Sequence, residues 1–377
     1  MSVDVELNAV VLPNDHRVFK FFPGRDYQYY EVMRDRGIAF LEVRNLDKLG
    51  QDPARWPPEA LLNHIAADRV ERAVEVGMDR PTRIVRSQGD KATQTFLQGL
   101  LFTAQKGDLI LMPNRGYTTN VMVGQFVDDA GVVVTTQLPG EKGPSTHHGR
   151  RIKWIKGVEK RLFADDVITL LHSQATFFDI GRSHYESVYR LTFDNFIYED
   201  QFFATFRTGK KIFTPKDSFL TSVWLELLEV LEGAREGGEA LPEGSIYDLV
   251  IDSDIDEDSR DDLSISVQSP GWFRVRSIAA APIASLALFA MAAQGVPFNQ
   301  AVAATTSAVM VRHGDADCLG AVDASVRDYV ILLGKDRWEQ ACKLAHQAEA
   351  ESKIKVDAKI KHRPAGKPPA SRKAPGG

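Results

Sequence analysis

Cysteine is nearly missing from these 377 residues: Cys318 and Cys342 are the only two. Two thiols make no disulfide framework, and no second pair completes a zinc site. A reducing, cytoplasmic setting is therefore expected. No charged region followed by an apolar core stands near the start, where MSVDVELNAVVLPNDHR mixes charges throughout, so a signal peptide is not expected. Long apolar runs are lacking as well. The uncharged span from Ser277 to Val311 is broken by Pro282, Gly295 and Pro297. A membrane-spanning helix needs about 20 apolar residues, so two buried helices, Ile278–Ala293 and Ala301–Val311, are expected in place of a membrane hairpin. No phosphate-binding glycine loop, no His-Glu-x-x-His and no Gly-x-Ser-x-Gly occurs.

What is present is charge, unevenly spread. The formal net charge is −5, yet residues 353–377 hold eight Lys or Arg against one Asp, so the body is acidic and the end basic. Within the body, seven basic residues between Lys142 and Arg161 face only Glu159. Such a patch is the footprint a phosphate backbone needs.

The length favours two domains. Strand-like runs surround Val10, Val18–Phe22 and Ile38–Val43, with a helix between the last two at Tyr27–Arg34. Helical spacing of Leu61, Leu62, Ile65, Val70 and Val74 predicts a helix over Glu59–Val76, and Phe96, Leu97, Leu100 and Leu101 another over Thr93–Thr103. Lys106 to Phe126 then reads as a β-hairpin. Its strands are Asp108–Met112 and Val121–Phe126, and Pro113 with Asn114-Arg115-Gly116 supplies the turn. Gly124 inside the second strand marks a bulge or a close approach. Leu109, Leu111 and Val123 are expected in the core. Gly131–Thr136 reads as a strand, Leu138–Gly149 as a polar loop with His147 and His148 exposed, and Arg151–Ile155 as a half-buried strand with Arg151 and Lys153 on one face. A helix at Ala164–Ser173 and a strand at Thr176–Ile180 close a first domain near residue 206.

The order TFLQGLLFTAQ, KGDLILMP, VMVGQF, RRIKWIK, SQATFFDI resembles the PUA/EVE-like domain at the N-terminus of Mrr-type restriction and other phage-defence proteins, over roughly residues 16–200. The resemblance implies a small β-barrel with flanking helices that reads nucleic acid, DNA above all, often through a modified base held in a pocket. In place of the family's Gly-Trp the chain has Leu41-Glu42-Val43-Arg44, which leaves Tyr117, Phe126, Trp154, Phe177 and Phe178 as possible pocket walls. Of these, Phe126, Phe177 and Phe178 also suit a core. The nucleic-acid-binding residues so implied are Asn114, Arg115, Tyr117, Gly124, Arg150, Arg151, Lys153, Trp154, Lys156 and Phe178.

The expected organisation is α+β: residues 1–206 as the reader, 207–350 as an α+β assembly or effector module able to join copies of the chain, and 351–377 as a disordered basic tail. In the second module Phe219–Leu231 is an apolar helix, Tyr247–Ile251, Leu263–Val267 and Trp272–Arg276 read as strands, and Val326–Leu333 and Trp338–Glu349 follow. No metal or other cofactor is expected. Asp252–Asp258 imitates a calcium loop but lacks its Gly and its final Glu, and His313–Cys318 reads as a loop between helices. Two alternatives stand beside the reader. One is a divergent nuclease using Mg2+ on Asp248, Asp252 or Asp254, although the adjacent strand lacks the expected lysine two residues beyond Gln268. The other is a membrane-associated effector using residues 278–311.

Overall fold

The computed structural model describes residues 2–50, 52–139, 143–199, 201–210, 212, 214–251, 262–266, 272–277, 280–311 and 316–363. It is a mixed α+β protein of two compact units, one formed by Asp15–Thr192 and the other by Met1–Asn14 with Phe193–Gly377. The expected division at residue 206 therefore differs from the observed one. The first strand, β1 (Ser2–Leu12), belongs to the second unit, where its apolar residues Val3, Val5, Leu7, Ala9 and Val11 line the main core.

The unit Asp15–Thr192 holds β2 (Val18–Phe21), α1 (Tyr30–Arg36), β3 (Ile38–Arg44), α2 (Pro58–Glu75) and α3 (Gln88–Gln98). It continues with β4 (Leu109–Met112), β5 (Asn120–Phe126), β6 (Val134–Leu138), β7 (Ser145–Glu159), α4 (Asp165–His172), β8 (Phe177–Asp179) and α5 (Tyr185–Thr192). Ser87 and Asp90 form a reciprocal capping box that starts α3, and the helix runs into a π-turn over Gly99–Thr103. The strands hydrogen-bond in the order β3-β7-β5-β4-β2-β8, with β6 on β7. Among the described residues this path does not close on itself, so the expected barrel is here an open seven-stranded sheet.

The loop expected over residues 138–149 is largely strand, with residues 140–142 outside the described set. His147 and His148 are buried on β7 at 1% and 6% exposure, against the expectation of an exposed pair. His147 lies 4.9 Å from the Phe40 ring and His148 5.4 Å from Trp56. Burial lowers both imidazole pKa values.

The second unit carries β9 (Asn195–Tyr198), β10 (Gln201–Thr208), α6 (Pro215–Gly237), α7 (Ile246–Ile251), β11 (Asp262–Ser266) and β12 (Trp272–Ser277). It ends with α8 (Ala281–Ala293), α9 (Phe298–Val302), β13 (Thr305–Val311), α10 (Ala316–Ser352), β14 (Ile354–Lys355) and β15 (Ala358–Arg363). Its sheet runs β11-β12-β10-β9-β1-β13, with β14 on β10 and β15 on β1. Where β9 begins, the buried Asn195 amide joins its neighbours, donating to Asn8 O and accepting from Thr205 N. Helix α8 is apolar on every side because it is buried on every side, from Ala281 to Ala292. Helix α6 starts at a Thr214/Asp217 capping box whose carboxylate also holds Lys210 and Ser352.

Three further expectations are corrected. Tyr247–Ile251 is helical. Residues 301–311 are divided between α9 and β13, whose β-branched run Thr305-Thr306 opens a strand paired in parallel with β1. The tail expected from residue 351 is ordered through Arg363 as β14 and β15. Its remainder, residues 364–377, lies outside the described residues, as do Asp252–Asp258 and residues 312–315.

Candidate nucleic-acid interface

The hairpin forms as expected, with Leu109 opposite Gln125 and Met112 opposite Met122, and Leu109, Leu111 and Val123 fully buried. Pro113 ends β4, and Gly116 takes φ 93°, a left-handed turn that favours glycine. Asn114 Oδ1 accepts from Arg115 N at 2.7 Å, and Thr119 Oγ1 donates to Gly116 O at 3.0 Å. Beneath this loop lies Lys160, 1% exposed, whose ammonium donates to Asn114 O at 2.8 Å and Gly116 O at 2.6 Å. Burial depresses its pKa. The carbonyls are thus drawn inward while Arg115 and Tyr117 stand exposed, Tyr117 by 54%.

Gly124 sits at a register shift between β5 and β7, the bulge its position suggested. A Cβ there would lie 2.5 Å from both Ile152 Cγ2 and Trp154 Cε3. The close neighbour is thus the Trp154 ring. Trp154 is half-buried, with its indole N–H donating to Met33 O at 3.3 Å, and it packs against the core of this unit.

The basic strand separates by role. Arg150, expected to contact phosphate, is fully buried. It donates to the carbonyls of Leu100, Leu101, Ala104 and Asp128, and stands 5.2 Å from the Phe126 ring centroid. The reason is local: the helix α3 and its π-turn end with unsatisfied carbonyls, and a planar fork of donors satisfies several at once. Arg151 is exposed and bidentate to Asp128, at 2.7 and 2.5 Å, which holds that carboxyl below its ordinary pKa. Lys153 is exposed and Lys156 half-buried. Register places Lys153 opposite Gln125 and Glu159 opposite Asn120. Arg151 and Lys153 therefore lie toward the base of the hairpin, away from Asn114, Arg115 and Tyr117 at its tip.

Sequence reasoning missed a group on β2 and the turn after it. Lys20, 0% exposed, donates to Ser173 O and Ala175 O, both at 2.6 Å. Its ammonium stands 4.9 Å from the Phe22 ring centroid and 5.7 Å from that of Phe178, the residue paired with it across β8. Burial pulls its pKa from 10.5 down to about 7. The rings of Phe22 and Tyr27 meet edge-on at 4.8 Å. Burial raises the Tyr27 hydroxyl pKa, and the Arg115 charge opposes part of that rise. Phe22, Tyr27 and Phe178 all keep part of their surface in solvent, whereas Phe126 and Phe177 are core. The turn between Phe22 and Tyr27 holds Gly24, Asp26 and Tyr27 at φ 80°, 53° and 63°. Left-handed backbone at two residues other than glycine stores strain that functional loops often carry. Pro23-Gly24 was the available signal.

A cleft of about 450 Å³ in the same unit is lined by Arg44, His64, Asp68, Glu71 and Glu75 among others. Its arginine is already satisfied, with Asp68 and Glu75 each at 2.7 Å. In the other unit, Asp248 caps α7 by accepting from Ser245 N at 2.7 Å, while Asp252 and Asp254 lie outside the described residues. Among the described residues no group of His, Cys, Asp or Glu is arranged to hold a metal ion, and no helix is long and apolar enough to cross a membrane. Comparison with protein-family models, with curated proteins and with solved structures returns no match.

Proposed function

We propose that this is a nucleic-acid-binding protein whose Asp15–Thr192 unit reads bases, most directly modified bases in DNA, in restriction or anti-phage defence. The reading extends to a PUA/EVE-like ancestry for that unit, a cytoplasmic setting and self-association through the other unit. One observation carries it: a loop clamped from below by Lys160 holds Arg115 and Tyr117 exposed, and the Arg115 charge acts on Tyr27, whose ring meets the part-exposed ring of Phe22. Cations at a rim position a phosphate backbone, and aromatic faces take a base.

Within this reading Arg115 supplies the phosphate contact, and Tyr117 and Phe178 supply faces for an unstacked base. Lys160 is a buried cation held by carbonyls, and its positive charge beneath the rim favours an anionic ligand. Arg150 and Trp154 support the unit from inside. The arrangement binds and orients; it offers no acid and base pair for chemistry.

The test is binding of the full chain to matched oligonucleotides with and without cytosine or adenine modification. Arg115→Ala is expected to weaken binding to all of them and to lower the salt slope by about 1. Tyr117→Ala and Phe178→Ala are expected to cost about 1–3 kcal/mol each, in proportion to the stacking they provide. Unchanged affinity in all three variants overturns the assignment.

A further inference from the structure

The segment from Lys353 to Lys361 has the composition of a flexible tail, but it is a pinned strand pair. Thr208 Oγ1 donates to Ser352 O at 2.7 Å, Gly209 N to Lys353 O at 3.1 Å and Asn8 N to Asp357 O at 3.0 Å. Ile354 and Lys355 then pair with Thr208 and Arg207 of β10, and residues 358–363 run antiparallel to β1. Ile354 is buried at 2% exposure, and Ala358 and Ile360 pack on the same core. Strand alternation turns Lys355 of β14 and Lys359 and Lys361 of β15 the other way, and Lys353 precedes β14 at φ 51°. Lys353, Lys355, Lys359 and Lys361 are all exposed.

The charge on this face is only partly answered. Lys361 pairs with Glu6, which also lies opposite Lys359 in register; Arg207 pairs with Asp194; Asp357 accepts from the Asn8 amide. Among the described residues Lys353, Lys355 and Lys359 have no ion-pair partner. Across the strands, Arg207 stands between Trp272 and Lys355 in one row. Trp272 is 37% exposed, with the Arg274 guanidinium 5.1 Å from its ring. Like charges gathered on one exposed face repel one another, and in a chain of net charge −5 a polyanion is the ligand that relieves them.

The geometry points to this face as a second nucleic-acid contact, with the phosphate backbone of a strand along Lys353, Lys355 and Lys359 and a base against Trp272. It lies in the unit that does not carry the base reader, and it rests on the proposed function only for its choice of nucleic acid among polyanions. Its contribution is to affinity and residence on any sequence, leaving discrimination between bases to the other unit.

The experiment compares the full chain with its Lys353→Glu/Lys355→Glu/Lys359→Glu variant, using an unmodified 20-nucleotide single strand and its duplex from 50 to 200 mM salt. With about 0.7 of slope per phosphate contact on single strands, the variant is expected to lose about 2 in the slope of log K against log salt. Affinity at 50 mM salt should fall at least tenfold at an unchanged melting temperature. The ratio of affinities for modified and unmodified oligonucleotides should stay as in the parent chain. If the reversed charges disturb folding, Lys353→Gln/Lys355→Gln/Lys359→Gln gives the same comparison without placing carboxylates near Glu6. Equal slope and affinity in parent and folded variant overturn the inference, as does a parent chain that binds neither oligonucleotide. Failure of the base reader has a different signature: equal affinity of the parent chain for modified and unmodified strands.

Discussion

Replacing Arg150 by Met separates a buried support from a phosphate contact, because the two roles predict opposite results. Methionine keeps a side chain of similar length and removes the guanidinium. In the folded unit that group donates to the carbonyls of Leu100, Leu101 and Ala104 at 3.3, 3.1 and 3.0 Å, and to Asp128 O at 2.5 Å. Hydrogen bonds to charged groups contribute about 1.5–3 kcal/mol each, and a buried acceptor left without a donor costs about 1–3 kcal/mol. Desolvation of the guanidinium in the parent offsets part of this, so the net loss from the four carbonyl acceptors is about 3–5 kcal/mol. For a domain of 150–250 residues each kcal/mol moves the melting temperature by about 2–4 °C. The Asp15–Thr192 unit should therefore melt about 6–20 °C lower, followed by thermal unfolding of the full chain. Below its melting temperature the variant should keep the parent's salt dependence of nucleic-acid binding. An unchanged melting temperature with a shallower salt slope would refute the reasoning and return Arg150 to the surface.

Other consequences follow from the same contacts. Gly124→Ala places a Cβ 2.5 Å from Ile152 and Trp154; overpacking of this kind costs about 1–3 kcal/mol. Denaturant unfolding should show that loss, and Trp154→Ala in the same chain should make the alanine less costly. Lys20 binds its proton less tightly folded than unfolded, with a pKa of about 7 against 10.5. Its contribution to stability is thus present above pH 10.5, is lost as pH falls through about 7, and produces a rise between those limits. Lys20→Met should be less stable than the parent at pH 9.5 and lose that rise; a parent and variant with parallel pH profiles from 7 to 9.5 argue against it. Lys160→Met leaves the Asn114 and Gly116 carbonyls without their donor. It should weaken nucleic-acid binding more than it lowers the melting temperature, and undiminished binding would remove Lys160 from its positioning role.

The hairpin was legible because two local rules agree there: a buried four-residue apolar strand and a mostly buried seven-residue strand flank a Pro-Asn-Arg-Gly turn, and its single interior glycine occupies the bulge. The long helices α2 and α6 were legible from period alone. Other features depended on partners distant in sequence. Arg150 reads as one more cation in a basic run, and only the ends of α3 and its π-turn, about 50 residues earlier, turn it inward. His147 and His148 follow a Pro- and Gly-containing stretch and so resemble a loop, yet β7 already begins at Ser145 and buries them against Phe40 and Trp56.

The alternation Lys353-Ile354-Lys355-Val356-Asp357-Ala358-Lys359-Ile360-Lys361 is a strand pattern of period two. The Pro- and Gly-rich composition beyond it hid that pattern. The unit boundary was hidden for a topological reason: β1 precedes the whole Asp15–Thr192 unit yet pairs with β9, β13 and β15. The aromatic group of Phe22, Tyr27 and Phe178 joins two segments about 150 residues apart in sequence, with only Pro23-Gly24 to mark the turn.

The central claim, that the Asp15–Thr192 unit reads bases, is tested most directly by competition binding of the full chain to matched modified and unmodified oligonucleotides at 50 and 200 mM salt. The account predicts a preference for one modified base of at least about fivefold, the equivalent of about 1 kcal/mol of stacking. That preference should survive at the higher salt and vanish in Tyr117→Ala or Phe178→Ala. Equal affinity for every oligonucleotide, falling steeply and identically with salt, contradicts it and leaves phosphate contact alone.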